Sequence, residues 1–158
     1  MLEYNCRLGD PEAQVILPLL TDDPAEVFAA AVRGQLAQVQ LSWRSEAAVT
    51  VVMAADGYPM QLRAGALITG LEAAKATGCT VFHAGTTLAP EGPRVAGGRV
   101  LSVTALGPDL EAAAFKAYAG VAEISFAGAQ FRRDIGRSLR EDTARNGSCA
   151  LGNGGRES

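Results

Sequence analysis

Lysine is nearly missing from this chain, so arginine carries most of the positive charge, and the balance still falls to a net −3 with a pI near 5.2. Surfaces that hold nucleic acid or anionic membranes cluster Lys and Arg to displace counterions, and a chain so short of cations predicts neither partner. Histidine occurs once, and the three cysteines, Cys6, Cys79 and Cys149, include no pair at C-x-x-C spacing. That argues against a zinc site and against a disulfide framework. No apolar run nears the roughly 20 residues that span a bilayer, and the amino end has neither the basic nor the apolar region of a secretory signal. A cytoplasmic protein is the expectation. Neither G-x-x-x-x-G-K-[ST] nor a dinucleotide fingerprint after a strand occurs, and no period suggests a repeat architecture.

What is present is 158 residues, 48% hydrophobic and 20% charged. That suffices for one ordinary domain burying on the order of 70% of its unfolded surface, or a smaller domain with attachments. "LEYNCRLGDPE" (2–12) opens as a short alternating strand, which puts Glu3, Asn5 and Arg7 on one face. Asp10 is a candidate N-cap with Pro11 and Glu12 behind it, predicting a helix from Pro11 to Leu20. Asp23 and Pro24 start another that runs to Gly34. The period then changes. "AAVTVVMAA" (47–55), "CTVFHAG" (79–85) and "GRVLSVTALG" (98–107) read as strands, joined by turn-rich stretches "DGYP", "RAGALITG" and "LAPEGPRVAGG". Residues 107–124 form the clearest helix, with Leu110, Ala114, Ala117, Val121 and Ile124 on one face to cover the sheet. From Arg137 onward apolar residues thin out and a disordered tail is expected.

The opening strand is the strongest candidate site. A hard divalent cation takes oxygen ligands, often one or two carboxylates completed by substrate phosphates and water. Glu3 and the amide oxygen of Asn5 fit half of such a shell, and the Arg7 fork could hold an anion beside it. Spacing alone leaves open the alternative of a polar strand edge facing water. In "VAGGRV" the paired glycines and Arg99 could bring Gly98 and a cation to a substrate phosphate, or could simply form a tight turn into a core strand. His83 has no evident catalytic partner and reads as structural, as does Asp10 in its capping role. The arginines at 132, 133, 137 and 140 alternate with Asp134, Glu141 and Asp142, which reads as a solvated surface.

"LEYNCRLGDPEAQ" as a whole resembles the metal-binding strand and following turn of ATP-grasp ligases. More closely it resembles the glycinamide ribonucleotide synthetase (phosphoribosylamine-glycine ligase) family. The likeness continues in the family's order through "LSW", "AAVTVVMAADGYP", "ITGLEAA", "VFHAGT", "GGRVLSVTALG" and "FRRDIG", from Leu2 to Gly136. Leu8, where an aromatic is usual, and Ala64 and Ala66, where a charged turn is frequent, depart from it. The resemblance implies an α+β chain. Residues 1–33 would be the C-terminal edge of an ATP-grasp domain with connecting helices. Residues 34–136 would be a small β-rich, barrel-like domain of rudimentary single-hybrid or barrel-sandwich type under one covering helix, and 137–158 the tail.

It implies an ATP-dependent ligase joining glycine to 5-phosphoribosylamine, with Mg²⁺ or Mn²⁺ on Glu3 and Asn5 and an anion-stabilising, catalytic role for Arg7. It also implies a monomeric full-length enzyme whose lysine-bearing nucleotide cleft and second acidic ligand lie upstream, so the isolated chain is expected to be inactive. An exposed apolar face on the 11–33 helices would mark where those upstream domains pack. The alternative is a non-catalytic, barrel-like binding or interaction module derived from such a ligase.

Overall fold

The computed structural model describes residues 6–61 and 63–136, so the expected tail at 137–158 lies outside the described residues. The fold is built around its longest strand. The run RVLSVTALG forms β5 (Arg99–Gly107), buried at nearly every position, because strands flank it on both edges. β1 (Ala47–Ala54) pairs with it antiparallel, Val51 opposite Val103, and alternates so that Val49, Val51 and Met53 point into the core. β2 (Thr80–His83) pairs on the other edge, Val81 also opposite Val103. Ser102 and Thr104 are the buried polar residues of this strand, and the Thr104 hydroxyl donates to Thr50 Oγ1 on β1 at 2.8 Å.

One helix covers this sheet. It spans Leu110–Glu123 (α4 below), and its Asp109 cap accepts from Ala112 N at 2.7 Å. Ala113, Ala117, Gly120 and Val121 face inward along β1 and β5. Small residues at the crossing let the helix backbone come close: a Cβ on Gly120 would lie 2.7 Å from Cys79 Sγ. A six-residue helix, α3 (Leu71–Ala76), lies beside α4 between two left-handed glycines, Gly70 and Gly78, each at φ 82°. α3 leads into β2 and α4 follows β5, each through a short turn.

The expected barrel is not formed. Among the described residues there are two open sheets, β1-β5-β2 and a separate hairpin of β3 (Thr86–Ala89) and β4 (Gly92–Val95). Closure fails for reasons of hydrogen bonding. The second edge of β4 is taken by residues 65–68 and not by the main sheet: Gly65 N donates to the Val95 carbonyl at 2.8 Å, and Val95 N to the Ala66 carbonyl and Ile68 N to the Pro93 carbonyl, each at 2.9 Å. The outer edge of β1 meets only the isolated bridge Ala54–Gln130.

Two helices precede the sheet. α1 (Ala13–Leu19) begins later than the capping pattern predicts and ends one residue after Pro18. Asp10 does not cap it: the N-cap is Glu12, with no side-chain capping bond. α2 (Pro24–Val32) is capped as expected, Ala25 N donating to Asp23 Oδ1 at 2.8 Å. Neither contains a buried residue, and Ile16, Phe28 and Val32 are exposed, Val32 by 90%. The chain then returns beside α1, with Thr21 and Ser42 bonded and Leu20 bridged to Trp43. Among the described residues no helix is long and apolar enough to cross a membrane.

Candidate functional site

Glu3 and Asn5, the candidate metal ligands, lie outside the described residues. Arg7, the described member of that trio, lies in a bend and not in the expected strand. It is exposed, and its Nη1 donates to the neighbouring Leu8 carbonyl at 3.0 Å. Three residues on, Asp10 is held at both ends of its carboxylate. Gln14 Nε2 donates to Oδ1 at 2.9 Å, and Arg99 Nη2 lies 3.1 Å from Oδ2. Arg99 Nη1 also donates to the Asp10 backbone carbonyl at 2.7 Å. Two candidates far apart in sequence, the opening segment and the Gly-Gly-Arg turn, therefore meet in space.

The glycines of that turn are explained by close packing. Ala96 N and Gly97 N both donate to the Gly85 carbonyl, at 2.8 and 2.9 Å, so a Cβ on Gly97 would lie 2.8 Å from Gly85 Cα. A Cβ on Gly98 would enter the ring of Tyr58, and the Gly98 carbonyl accepts from Ala55 N at 2.8 Å. His83 is exposed on the strand leading to Gly85, its Nδ1 3.0 Å from Thr86 Oγ1. Asp56, next to the Tyr58 turn, pairs with Arg63 at 3.1 Å. Backbone packing thus gathers residues 7–14, 55–58, 83–86 and 97–99 at one end of the fold.

Among the described residues no group of three or more His, Cys, Asp or Glu is placed to hold a metal ion. A cation bound here would need oxygen ligands from Glu3, Asn5 or another part of the protein. Sequence reasoning named Arg7, Gly98 and Arg99 as candidates but gave no sign of the Asp10–Arg99 pairing or of the packing of Tyr58 and Gly85 against the glycine turn. A single sequence holds no signal for a contact across 89 positions.

A groove of about 440 Å³ shares no residue with this end. Ala114, Phe115 and Tyr118 of α4 line it with Phe131, Arg133 and Ile135. The Tyr118 hydroxyl donates to Arg132 O at 2.8 Å and accepts from Ile135 N at 3.0 Å, while the Arg133 guanidinium sits 5.3 Å from the Phe131 ring centre. Hydrogen bonding to Asp134, then its charge, raises the Arg132 pKa. Of the expected arginine surface, residues 137 and 140 lie outside the described residues; Arg132 and Arg133 are exposed.

Residues 48–138, more than half of the chain, match the family described as "Phosphoribosylglycinamide synthetase, C domain". The chain belongs to that family. The phosphoribosylglycinamide synthetase C-domain match covers all three strands of the main sheet, the hairpin, α3 and α4. "Phosphoribosylamine--glycine ligase, chloroplastic" of Arabidopsis thaliana is 50% identical over 145 residues, which are 89% of this chain and 27% of that protein. "Trifunctional purine biosynthetic protein adenosine-3" of Gallus gallus is 51% identical over 137 residues, 86% of this chain and 14% of that protein. A solved phosphoribosylamine-glycine ligase from Thermotoga maritima superposes with a TM-score of 0.67 at 36% identity, covering 85% of this chain and 32% of that one. The chain spans about a quarter to a third of the length of the curated ligases it matches, and its mixed α and β structure resembles their C-terminal region.

Proposed function

We propose that this chain is the C-terminal part of a phosphoribosylamine-glycine ligase and serves that reaction together with an ATP-binding portion supplied from elsewhere in the protein or by a partner. The observation that carries the reading is the family match over residues 48–138, supported by relatives at about half identity that bear the ligase name. Those identities favour the ligase over a free-standing binding module. Residues 1–33 then belong with the ATP-grasp domain and 34–136 form the small C-terminal domain. A monomeric enzyme in the cytoplasm is part of the same proposal, although the plant relative is named chloroplastic.

In the proposed reaction the glycine carboxylate oxygen attacks the γ-phosphorus of ATP, and ADP leaves. The amine of 5-phosphoribosylamine then attacks the acyl carbon, forms the amide bond, and expels phosphate. Mg²⁺ or Mn²⁺, held in part by Glu3 and Asn5, would supply charge neutralisation for the nucleotide phosphates. Arg7 places its donors where negative charge grows on the transferring phosphoryl group, an effect that needs no reorganisation once the fork is set. Its exposure in the described structure leaves it open to such a ligand. Gly98 is the residue of the Gly-Gly-Arg turn assigned to the 5-phosphoribosylamine side of this end, while the Arg99 guanidinium is engaged by Asp10.

The test joins residues 2–158 to the preceding two thirds of a phosphoribosylamine-glycine ligase, replacing that enzyme's own C-terminal part. Glycine-dependent ADP release is expected from the chimera and not from the 158-residue chain alone, and Glu3→Gln is expected to lower it by about a hundredfold or more, the loss typical of a removed metal or charge-stabilising contact. ADP release at an ordinary ligase rate by the isolated chain would contradict the reading.

A further inference from the structure

Arg99 does not stand free at the end of its turn. Its two terminal nitrogens grip one residue, Asp10, by the backbone carbonyl at 2.7 Å and the carboxylate at 3.1 Å. The other carboxylate oxygen is already taken by Gln14 of α1. A bare charge pair with side chains about 40% exposed would contribute little. A planar fork spanning a carbonyl and a carboxylate of the same residue is different: it fixes direction as well as distance, and the single ammonium of lysine cannot reproduce it. The base of the fork is rigid too. Arg99 is the first residue of the central strand, and Gly97 and Gly98 are locked against Gly85 and Tyr58.

We infer that Asp10 and Arg99 form a positioning clamp, in which Arg99 acts through Asp10 to set the place of the segment that carries Arg7. The inference rests on the ligase reading and sharpens it: Arg99 serves the nucleotide and metal end of the site rather than touching the phosphate of 5-phosphoribosylamine. Holding a catalytic segment in its productive geometry is worth large factors in such reactions, and a small misplacement loses them.

The two roles separate by experiment in the chimera. Asp10→Ala, Arg99→Ala and Arg99→Lys are each expected to raise the KM for Mg–ATP by about tenfold, the scale of one charge-assisted contact, and to lower kcat by about tenfold, because the displaced segment carries Arg7. The double variant Asp10→Ala/Arg99→Ala is expected to be no worse than either single one, as for two ends of one contact. In the 158-residue chain, hydrogen exchange at residues 6–10 should quicken in Asp10→Ala and Arg99→Lys while β1 and β5 keep their protection, which also serves if Arg99→Ala fails to fold.

The clamp is overturned if Arg99→Lys restores the Mg–ATP KM. It is overturned equally if Asp10→Ala leaves that KM unchanged while Arg99→Ala raises the KM for 5-phosphoribosylamine, or if exchange at 6–10 does not change. An inactive parent chimera would instead overturn the ligase reading, and the clamp's role with it.

Discussion

Gly120 shows how little room the core leaves at single positions. Its missing Cβ is what lets α4 lie against β5 and against Cys79, the residue before β2, since a methyl there would meet Cys79 Sγ at 2.7 Å and Val103 Cγ1 at 3.0 Å. Gly120→Ala gains up to about 1 kcal/mol of helix propensity, but overpacking of this kind costs about 1–3 kcal/mol, so the denaturation midpoint is expected to fall. Thr104→Val keeps the shape and removes the donor to Thr50; the expected cost is about 1 kcal/mol by urea denaturation, since the Thr50 hydroxyl can still reach the Val103 carbonyl at 3.4 Å. Such contacts are the part a sequence conceals. Arg7, Gly98 and Arg99 were legible as residue types suited to anions, yet Asp10's position before a helical run pointed to a cap. Competition from a distant arginine and from Gln14 redirected its carboxylate.

At the scale of elements, long periodic runs were legible and short ones were not. The runs at 47–55 and 98–107 became β1 and β5, and the 107–124 pattern became α4, because enough apolar side chains recur at one period to decide the face. β4 and the end of β3 lie in a stretch that reads as turns, and α3 lies in one where no element was expected. Six- and four-residue elements bounded by glycine and proline carry too few side chains to show a period, and tertiary contacts form them. The two aspartate caps separate packed from unpacked helices. Losing either costs about 1 kcal/mol at the helix itself. Asp109→Ala is expected to lower the global midpoint, because α4 is part of the core. Asp23→Ala is expected to quicken hydrogen exchange across 24–32 with little change in that midpoint, because α2 has no buried residue to couple it to the rest.

The whole molecule leaves one side unfinished. Phe28, Val32, Leu36 and Trp43 are each half exposed or more, on helices and a return segment that bury no residue of their own. Short helices with an uncovered apolar face draw little stability from propensity, and patches of this kind mark contact surfaces. The ligase reading supplies the cover: the relatives hold most of their length outside the matched part. Trp43 is the one tryptophan in the chain and reports on that face. Its emission is expected to shift to the blue when residues 2–158 are joined to an ATP-binding portion, and an unchanged spectrum would leave the face without that partner. An exposed apolar side was foreseeable from the 11–33 pattern. Sheet closure was not, because it depends on which strand edges remain free to pair.

The most direct measurement is product formation by the Thermotoga maritima ligase with its C-terminal third exchanged for residues 2–158 of this chain. Glycinamide ribonucleotide should form in the presence of ATP, glycine and 5-phosphoribosylamine, within about an order of magnitude of the parent rate, since relatives at this identity share one scaffold for the site. A chimera that folds and binds ATP yet makes no product would contradict the account.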